Sequence, residues 1–348
     1  MTRFGSSRPP IVVVGAGIVG ASLAYHLASR GASVTLLEAS LPASGATGSS
    51  FAWIGRPVAS KLPSAPLRYI AIDEYLRLER ELPDFRILWP GSLTWGGQGS
   101  SARPGGEVTD LHALEPGLIS PPARAHFAPT DGAFDPVEGT ESLVAAAVAR
   151  GAELRVGTPV TRLVRERDTV VGVETADGLL PAATVVVAAG TGTPALCSSV
   201  GVDVPVRSSP SVLVRLRAEP GTVRTILDAP ELEVRQCPDG TLLAPVRYSG
   251  ETNRTALRAT AERVRQKVTE TFGIPEAEIL SAEIGWRPMP IDDEPIIGRA
   301  PGAAGLYVAV MHSAVTLGAA AGRLVAEELV TGDEAPELAG CRIDRFTR

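Results

Sequence analysis

Two features of the 348-residue sequence predict a mixed α/β (α+β) chain: a Rossmann-like βαβ unit at its start, and a second, smaller antiparallel-sheet domain with a covering helix further on. The first feature begins with Ile11-Val12-Val13-Val14, a β-branched run of the kind a buried parallel strand requires. Gly15-Ala16-Gly17-Ile18-Val19-Gly20 follows at once, then a helix over 21–30 closed by Gly31 and a second strand over 33–37. Gly15 permits the tight turn into the helix, Gly17 lets the backbone approach a pyrophosphate, and Gly20 lets the helix pack on the sheet. The amides near Ile18 and Val19 open the helix, where free N–H groups and the dipole attract phosphate. Glu38, followed by Ala39, stands at the end of the second strand, where a carboxylate accepts both ribose hydroxyls and disfavours a 2′-phosphate. This unit alone leaves NAD and FAD both open.

The second feature lies further along. Residues 207–217, 231–236 and 241–248 read as strands of an antiparallel sheet. Leu257, Ala261, Val264, Val268 and Phe272 recur on one helical face, so a helix is expected to cover that sheet. Residues 97–110, rich in Gly, Ser and Pro, are expected to form an exposed loop.

Three further segments bear on the nucleotide. Ser44-Gly45-Ala46-Thr47-Gly48-Ser49-Ser50 is small, polar and rich in backbone donors, as a second phosphate or flavin cradle must be, although a plain flexible loop has the same composition. A helix over 141–150, strands over 154–156 and 159–165 (Val160 among them), and a hairpin of 170–175 with 179–187 turning at Ala176-Asp177-Gly178 return the chain to the nucleotide domain. That return ends in Ala188-Ala189-Gly190-Thr191-Gly192, small residues that leave room above a sheet edge. Near the C-terminus a strand over 305–310 meets a small-residue turn over 311–318 that includes Ser313, Ala314, Val315 and Thr316; a helix over 319–330 follows. A helix N-terminus there favours the negative charge of a reduced flavin, though a plain βα packing unit reads the same way.

Composition narrows the function. With 44% apolar and 21% charged residues and a net charge of −6, the chain carries no electrostatic footprint for nucleic acid. The three cysteines are scattered and the four histidines lack ligand spacing, so neither a disulfide framework nor a metal is expected, and a reducing, cytoplasmic setting is. The apolar stretch 11–28 contains three glycines and His26 and is explained by the fingerprint rather than by a transmembrane segment.

Together these segments resemble the D-amino-acid oxidase/glycine oxidase/sarcosine oxidase (DAO) family of flavoproteins, over nearly the whole chain. The most specific stretch is Gly285-Trp286-Arg287-Pro288-Met289-Pro290-Ile291-Asp292-Asp293-Glu294-Pro295-Ile296-Ile297-Gly298. The resemblance implies an FAD-binding domain made of 1–58, 138–206 and 285–348, and a substrate domain made of 59–137 and 207–284. It implies oxidation of the C–N bond of a small amino acid or secondary amine by hydride transfer to flavin N5, with Arg287 holding the substrate carboxylate. Dioxygen or another acceptor would then take the electrons. No Cys stands near Gly285-Trp286-Arg287 to link the flavin, so the FAD is expected to be non-covalent. No Lys stands at Gly240-Thr241-Leu242-Leu243, which leaves a dehydrogenase open beside an oxidase. The rival readings are an NAD-dependent dehydrogenase on the same βαβ unit and a non-catalytic flavin-binding subunit of a larger complex.

Each candidate for the chemistry has a plainer reading. Arg287 either clamps a carboxylate bidentately or pairs with Asp292, Asp293 or Glu294. Tyr248 either adds a hydroxyl to the same carboxylate or is structural. His312 either touches the flavin and tunes the amine's protonation or does neither. Trp53 either reaches the flavin ring or belongs to the core, while Trp89, Trp95 and Trp286 read as packing or pocket walls.

Overall fold

The computed structural model describes residues 10–56, 61–96, 103–275 and 277–346. In chain order the elements are β1 (Ile11–Val14), α1 (Ile18–Ser29), β2 (Val34–Leu37), β3 (Trp53–Ile54), α2 (Ala65–Glu81), β4 (Ser92–Thr94), β5 (Gly106–Val108), α3 (Leu111–Leu114), β6 (Ala125–Ala128), β7 (Gly132–Ala133) and α4 (Pro136–Ala149). There follow β8 (Glu153–Arg155), β9 (Arg162–Glu166), β10 (Thr169–Thr175), β11 (Gly178–Pro181), β12 (Thr184–Val187), α5 (Thr193–Ser198), β13 (Val206–Arg217), β14 (Ile226–Ala229), β15 (Leu232–Gln236) and β16 (Thr241–Arg247). The chain ends with α6 (Arg254–Phe272), β17 (Glu278–Pro290), β18 (Ile296–Arg299), β19 (Leu306–Val310), α7 (Ala314–Thr331) and two short 3₁₀ turns.

Two large sheets organise these elements. The first has the order β18-β19-β12-β1-β2-β8 and is parallel except for β18. β1 is buried along its whole length, as its continuous β-branched run requires. One face of this sheet is covered by α1, α2, α4 and α7, and the other by the small β11-β10-β9 sheet. The second sheet has the order β17-β13-β16-β15-β14-β4-β6-β5. One of its faces, carrying Val212, Val214, Leu242 and Ala244, packs on the Ala261–Val264–Val268–Phe272 stripe of α6, as the helical spacing predicts. No described helix is long and apolar enough to cross a membrane, and no described group of three or more His, Cys, Asp or Glu residues is placed to hold a metal.

Several expectations need correction. The turn before the last helix is Met311–Ser313 alone, because α7 already begins at Ala314. Its small residues serve a helix crossing instead of a turn: a Cβ at Gly318 would lie 3.3 Å from Ile18 Cγ1, and one at Gly322 only 2.1 Å from Ser22 Oγ of α1. α4 starts at Pro136, five residues before the expected 141, since Asp135 caps it by accepting from the amides of Val137 and Glu138. The apolar run 179–187 is broken after Pro181, so that β11 completes the hairpin while β12 enters the centre of the parallel sheet. Residues 106–108 of the expected loop form the exposed edge strand β5, and 97–102 lie outside the described residues. The expected domain boundary at 284/285 falls inside the continuous strand β17, and α2, expected in the substrate part, contributes Tyr75 and Leu78 to the core around α1 and α7.

Candidate active site

The fingerprint folds as its glycines require. Gly15 has φ +100°, and a Cβ there would sit 2.6 Å from Ala188 O at the end of β12. A Cβ at Gly20 would lie 1.8 Å from Gly15 O, so only glycine lets α1 approach the turn. A Cβ at Gly17 meets just Thr47 Oγ1 at 3.1 Å, leaving space in front of the helix. α1 has no capping side chain at Gly17 and no acid in its first turn; Ile18 N donates to Thr47 Oγ1 at 3.2 Å. This is an anion-receptive helix end, with Val19 buried just behind it.

Glu38 is held at that end. Its two carboxylate oxygens accept from Ala16 N at 2.8 Å and Ser40 N at 2.9 Å. A carboxylate has about four lone-pair sites, so both oxygens keep acceptor capacity for ribose hydroxyls. Ala39 is exposed beside it, and Thr158 N donates to Glu38 O at 2.8 Å, bringing 157–160 alongside. Val160 itself is half-buried against the core between the six-stranded sheet and the small β11-β10-β9 sheet.

The segment Ser44–Ser50 runs from the fingerprint to the second sheet. Thr47 is buried on α1, and Ser44 and Gly45 are exposed with Ala46 between them and Thr47. A Cβ at Gly48 would meet Ala43 O at 2.6 Å. Arg215 of β13 donates to Gly48 O at 2.5 Å, and a Cβ on Gly285 of β17 would fall 2.6 Å from Ser49 Cβ. Ser50 Oγ accepts from Ala52 N. Arg235 of β15, almost wholly buried, donates to Phe51 O at 2.6 Å and Phe134 O at 2.9 Å. Ala43, Ala52 and Ser313 are three of the five non-glycine residues with positive φ among the described residues, and all three border this region. Strain of about 1–3 kcal/mol per such residue persists where the surroundings impose it, commonly at ligand sites.

From the other side comes α7. Its N-cap Ser313 has φ +56° and makes no side-chain cap, so the amides following it over Ala314, Val315 and Thr316 form a second bare helix end. Thr316 Oγ1 donates to Trp53 O at 3.3 Å, which ties this end to the cradle. Ala189, Gly190 (φ +55°) and exposed Thr191 form the turn at the end of β12, close to Gly15. Two uncapped helix ends, a positioned ribose acid and a strained glycine-rich strap between them suit a dinucleotide such as FAD.

The candidates for chemistry separate into two groups. Arg287 pairs in register with Ser209 and donates to Ser209 Oγ at 3.1 Å. Its plainer reading fails: Asp292 pairs with Arg345, Asp293 with Arg207, and Glu294 accepts from Ser64 N. Since Gly285 and Arg287 lie two apart on β17, they share the sheet face that meets the cradle. His312 is half-buried, with Nδ1 3.3 Å from Ser313 Oγ; burial, with Arg287 the largest charge acting on it, holds its imidazole below its ordinary pKa. Trp53 Nε1 donates to Asp131 Oδ2 at 2.9 Å and its ring meets Phe51 edge-on. These three are brought together around the strap. Tyr248 is not: it stacks obliquely on Trp286, 6.4 Å between centroids, on the face opposite Arg287 and against the core under α6. Alternation along β17 puts neighbours 286 and 287 on opposite faces, which corrects the expectation that Tyr248 shares the carboxylate.

Sequence reasoning missed Arg103, Asp131, Arg215 and Arg235. Arg103 lies over the Trp53 ring at 3.8 Å and bonds Asp131 Oδ2 at 3.1 Å. Asp131 is fully buried, and burial raises its pKa against the pull of Arg103. The alternation in Leu232-Glu233-Val234-Arg235 was a signal for charges directed to one sheet face.

The family model for FAD dependent oxidoreductases of the DAO type matches residues 10–328. The chain belongs to the DAO family of FAD-dependent oxidoreductases. A D-amino acid dehydrogenase of Cereibacter sphaeroides is 32% identical over 251 residues, 67% of this chain and 56% of that protein. The 4-methylaminobutanoate oxidase (formaldehyde-forming) of Paenarthrobacter nicotinovorans is 31% identical over 247 residues, 64% of this chain but 28% of its own length. The chain thus matches less than two thirds of either relative. Among solved structures, glycine oxidase from Geobacillus kaustophilus has a TM-score of 0.82 at 24% identity, covering 98% of this chain and 99% of that one. L-proline dehydrogenase from P. horikoshii has a TM-score of 0.82 at 23% identity, covering 95% and 96%. Both share the fold, a parallel-sheet nucleotide domain with an antiparallel sheet beside it.

Proposed function

We propose that this DAO-family enzyme oxidises the C–N bond of a small amino acid or N-alkylated amino acid. The observation that carries the reading is Arg287. Its guanidinium is half-buried, turned to the cradle face, bonded only to neutral oxygens, and without a carboxylate partner among the described residues. A cation so held is ready for an anionic ligand. When bound, FAD supplies the electron acceptor at N5 for the hydride of the substrate's α C–H. Arg287 fixes the substrate carboxylate and thereby aims that C–H. His312, whose imidazole burial and the charge of Arg287 hold below its ordinary pKa, is the titratable group proposed to take a proton from the substrate ammonium, leaving the neutral amine that the reaction requires. The resulting imine is hydrolysed by water.

The glycine oxidase and D-amino acid dehydrogenase among the similar proteins support an amino-acid substrate. The FAD is proposed to be non-covalent, since the described cysteines Cys197, Cys237 and Cys341 are all buried and none stands beside Arg287. Thr241–Leu243 is buried and carries no lysine, and Lys267 pairs with Glu231, so an acceptor other than dioxygen is proposed to reoxidise the flavin. The test is an anaerobic screen read by loss of flavin absorbance, repeated with dioxygen and with an artificial acceptor. Amino acids are expected to bleach the flavin, and amines of equal size without a carboxylate are not. Equal bleaching by both classes rejects the role of Arg287.

A further inference from the structure

The sheet face that carries Arg287 also carries a group of carboxylates at its other side. Asp228 of β14 and Glu233 of β15 are partners in register, so their side chains lie together on one face. That face is the one facing the cradle, because Arg235, two residues beyond Glu233, reaches Phe51 O. Asp228 is also in register with Thr94 of β4. Thr94 is 4% exposed, and its Oγ1 has no hydrogen-bond partner.

One cation serves three acids here. Arg103, spread over Trp53, bonds Asp131, and its charge also acts on Asp228 and on Glu233. Neither the Asp228 nor the Glu233 carboxylate accepts a hydrogen bond among the described residues. Burial, aided by the like charge of Asp228, pushes Glu233 up to about 7. Half-buried carboxylates without partners are costly, and a second cation relieves that cost. β15 and β16 pair only through Arg235–Leu243 and Gln236–Leu242 and then part, and the gap of about 410 Å³ between them is lined by Asp228, Glu233, Pro245 and Arg247 and, on the α6 side, by Arg263 and Lys267, the latter already paired with Glu231.

We propose that the substrate carries a second, cationic nitrogen remote from the C–N bond that is oxidised, and that Asp228 and Glu233 hold this ammonium or guanidinium while Thr94 Oγ1 accepts one of its N–H bonds. The proposal rests on the C–N oxidation reading for the identity of the reacting end. Strands β17 and β15 are three steps apart, roughly 14 Å across the sheet, and the registers put Glu233 about level with Glu283, four residues or roughly 13 Å along the strand from Arg287, so the two backbones lie about 20 Å apart. Arg287 reaches inward from one side and the acids from the other, so the carboxylate and the distal cation are separated by several methylene groups. The class is a basic amino acid or an N-alkyl derivative of one.

Two measurements keep this proposal apart from the reading beneath it. The first is binding: the FAD-loaded protein is titrated calorimetrically with n-butylguanidinium, n-butylammonium and pentan-1-ol. Saturable binding of the cations is expected, without saturation by the alcohol, and Glu233→Gln or Asp228→Asn should each weaken it at least tenfold. Cations that bind no better than the alcohol, or equally well to both variants, overturn the proposal. The second is anaerobic bleaching by ornithine and lysine, both enantiomers, against norvaline and norleucine. The cationic substrates should be favoured at least tenfold, and Glu233→Gln should erase the ratio. Preference for the neutral amino acids rejects the cation site while leaving C–N oxidation standing. Tight cation binding with no bleaching by any amine supports the site and rejects the oxidation.

Discussion

Arg287 sits in a strand whose other neighbours are spoken for, and that makes its substitution informative. Arg287→Lys keeps the charge but loses the planar fork, so it should retain FAD and reduce it slowly. Arg287→Ala should lose about 2–5 kcal/mol of substrate binding, since a buried substrate carboxylate would go unpaired. Stopped-flow anaerobic reduction at matched flavin content checks this; equal rates in all three proteins reject the carboxylate clamp. Tyr248→Phe should reduce its flavin at the wild-type rate, because its hydroxyl lies across the sheet from Arg287. Histidines at this scale set a pH response. His26 is 1% exposed, and burial followed by the charge of Arg77 holds its pKa well below the ordinary value. The unfolded chain therefore binds a proton near pH 6.5 that the folded one refuses, and stability falls as pH drops below that value, by up to about 1.4 kcal/mol per unit per such group. Urea unfolding of His26→Gln should show a shallower fall between pH 6.5 and 5; an unchanged slope contradicts this. Single residues were legible in the sequence where the constraint is local. Gly15, Gly20 and Glu38 act within one βαβ unit. The bond between Trp53 and Asp131 joins residues 78 positions apart, and no spacing along the chain announces it.

The two helix ends proposed to face the nucleotide belong to α1 and α7, and the crossing of these helices sets where they point. α1 and α7 cross at Ser22–Gly322 and Ile18–Gly318, so one contact orients both bare N-termini. Gly322→Val should drive the helices apart. Overpacking of this kind costs about 1–3 kcal/mol, and flavin retention should fall along with the melting temperature. Loss of stability with full flavin content would separate the crossing from the cofactor site. The same glycines made the sequence read as a turn: Gly318 and its small neighbours imitate one, because a close helix pair and a turn both call for residues without bulk. Strand types were read more easily than strand partners. Leu179 to Val187 is apolar but for Thr184, and Pro181, which cannot donate to a ladder, marks where the hairpin stops before the central strand begins. The α6 stripe was clear because a 3.6-residue period sustained over nineteen residues fits a helix and no strand.

At the scale of the molecule, FAD would lie along the helix ends, strap and sheet face without a covalent link. Denaturation by acid or heat should release intact flavin, and flavin that stays with the polypeptide on a denaturing gel contradicts this. Excess FAD should raise the melting temperature, as any ligand confined to the folded state does. Gly17→Val should fold yet hold no flavin, and unchanged occupancy would remove the nucleotide assignment.

The order of the first sheet has a consequence for how the enzyme is made. β1 leaves the ribosome first, yet its flanking neighbour β12 begins at residue 184 and the strand beyond that, β19, at 306. Nascent β1 and β2 therefore wait, one edge unpaired, until β12 has been made. Such distant pairing folds slowly and exposes sticky edges meanwhile. The bare ends of α1 and α7, separated by almost three hundred residues, can face one nucleotide only after nearly the entire chain has emerged. Loading of the flavin thus has to wait for α7, and cells short of FAD should accumulate a protease-sensitive chain that already contains it.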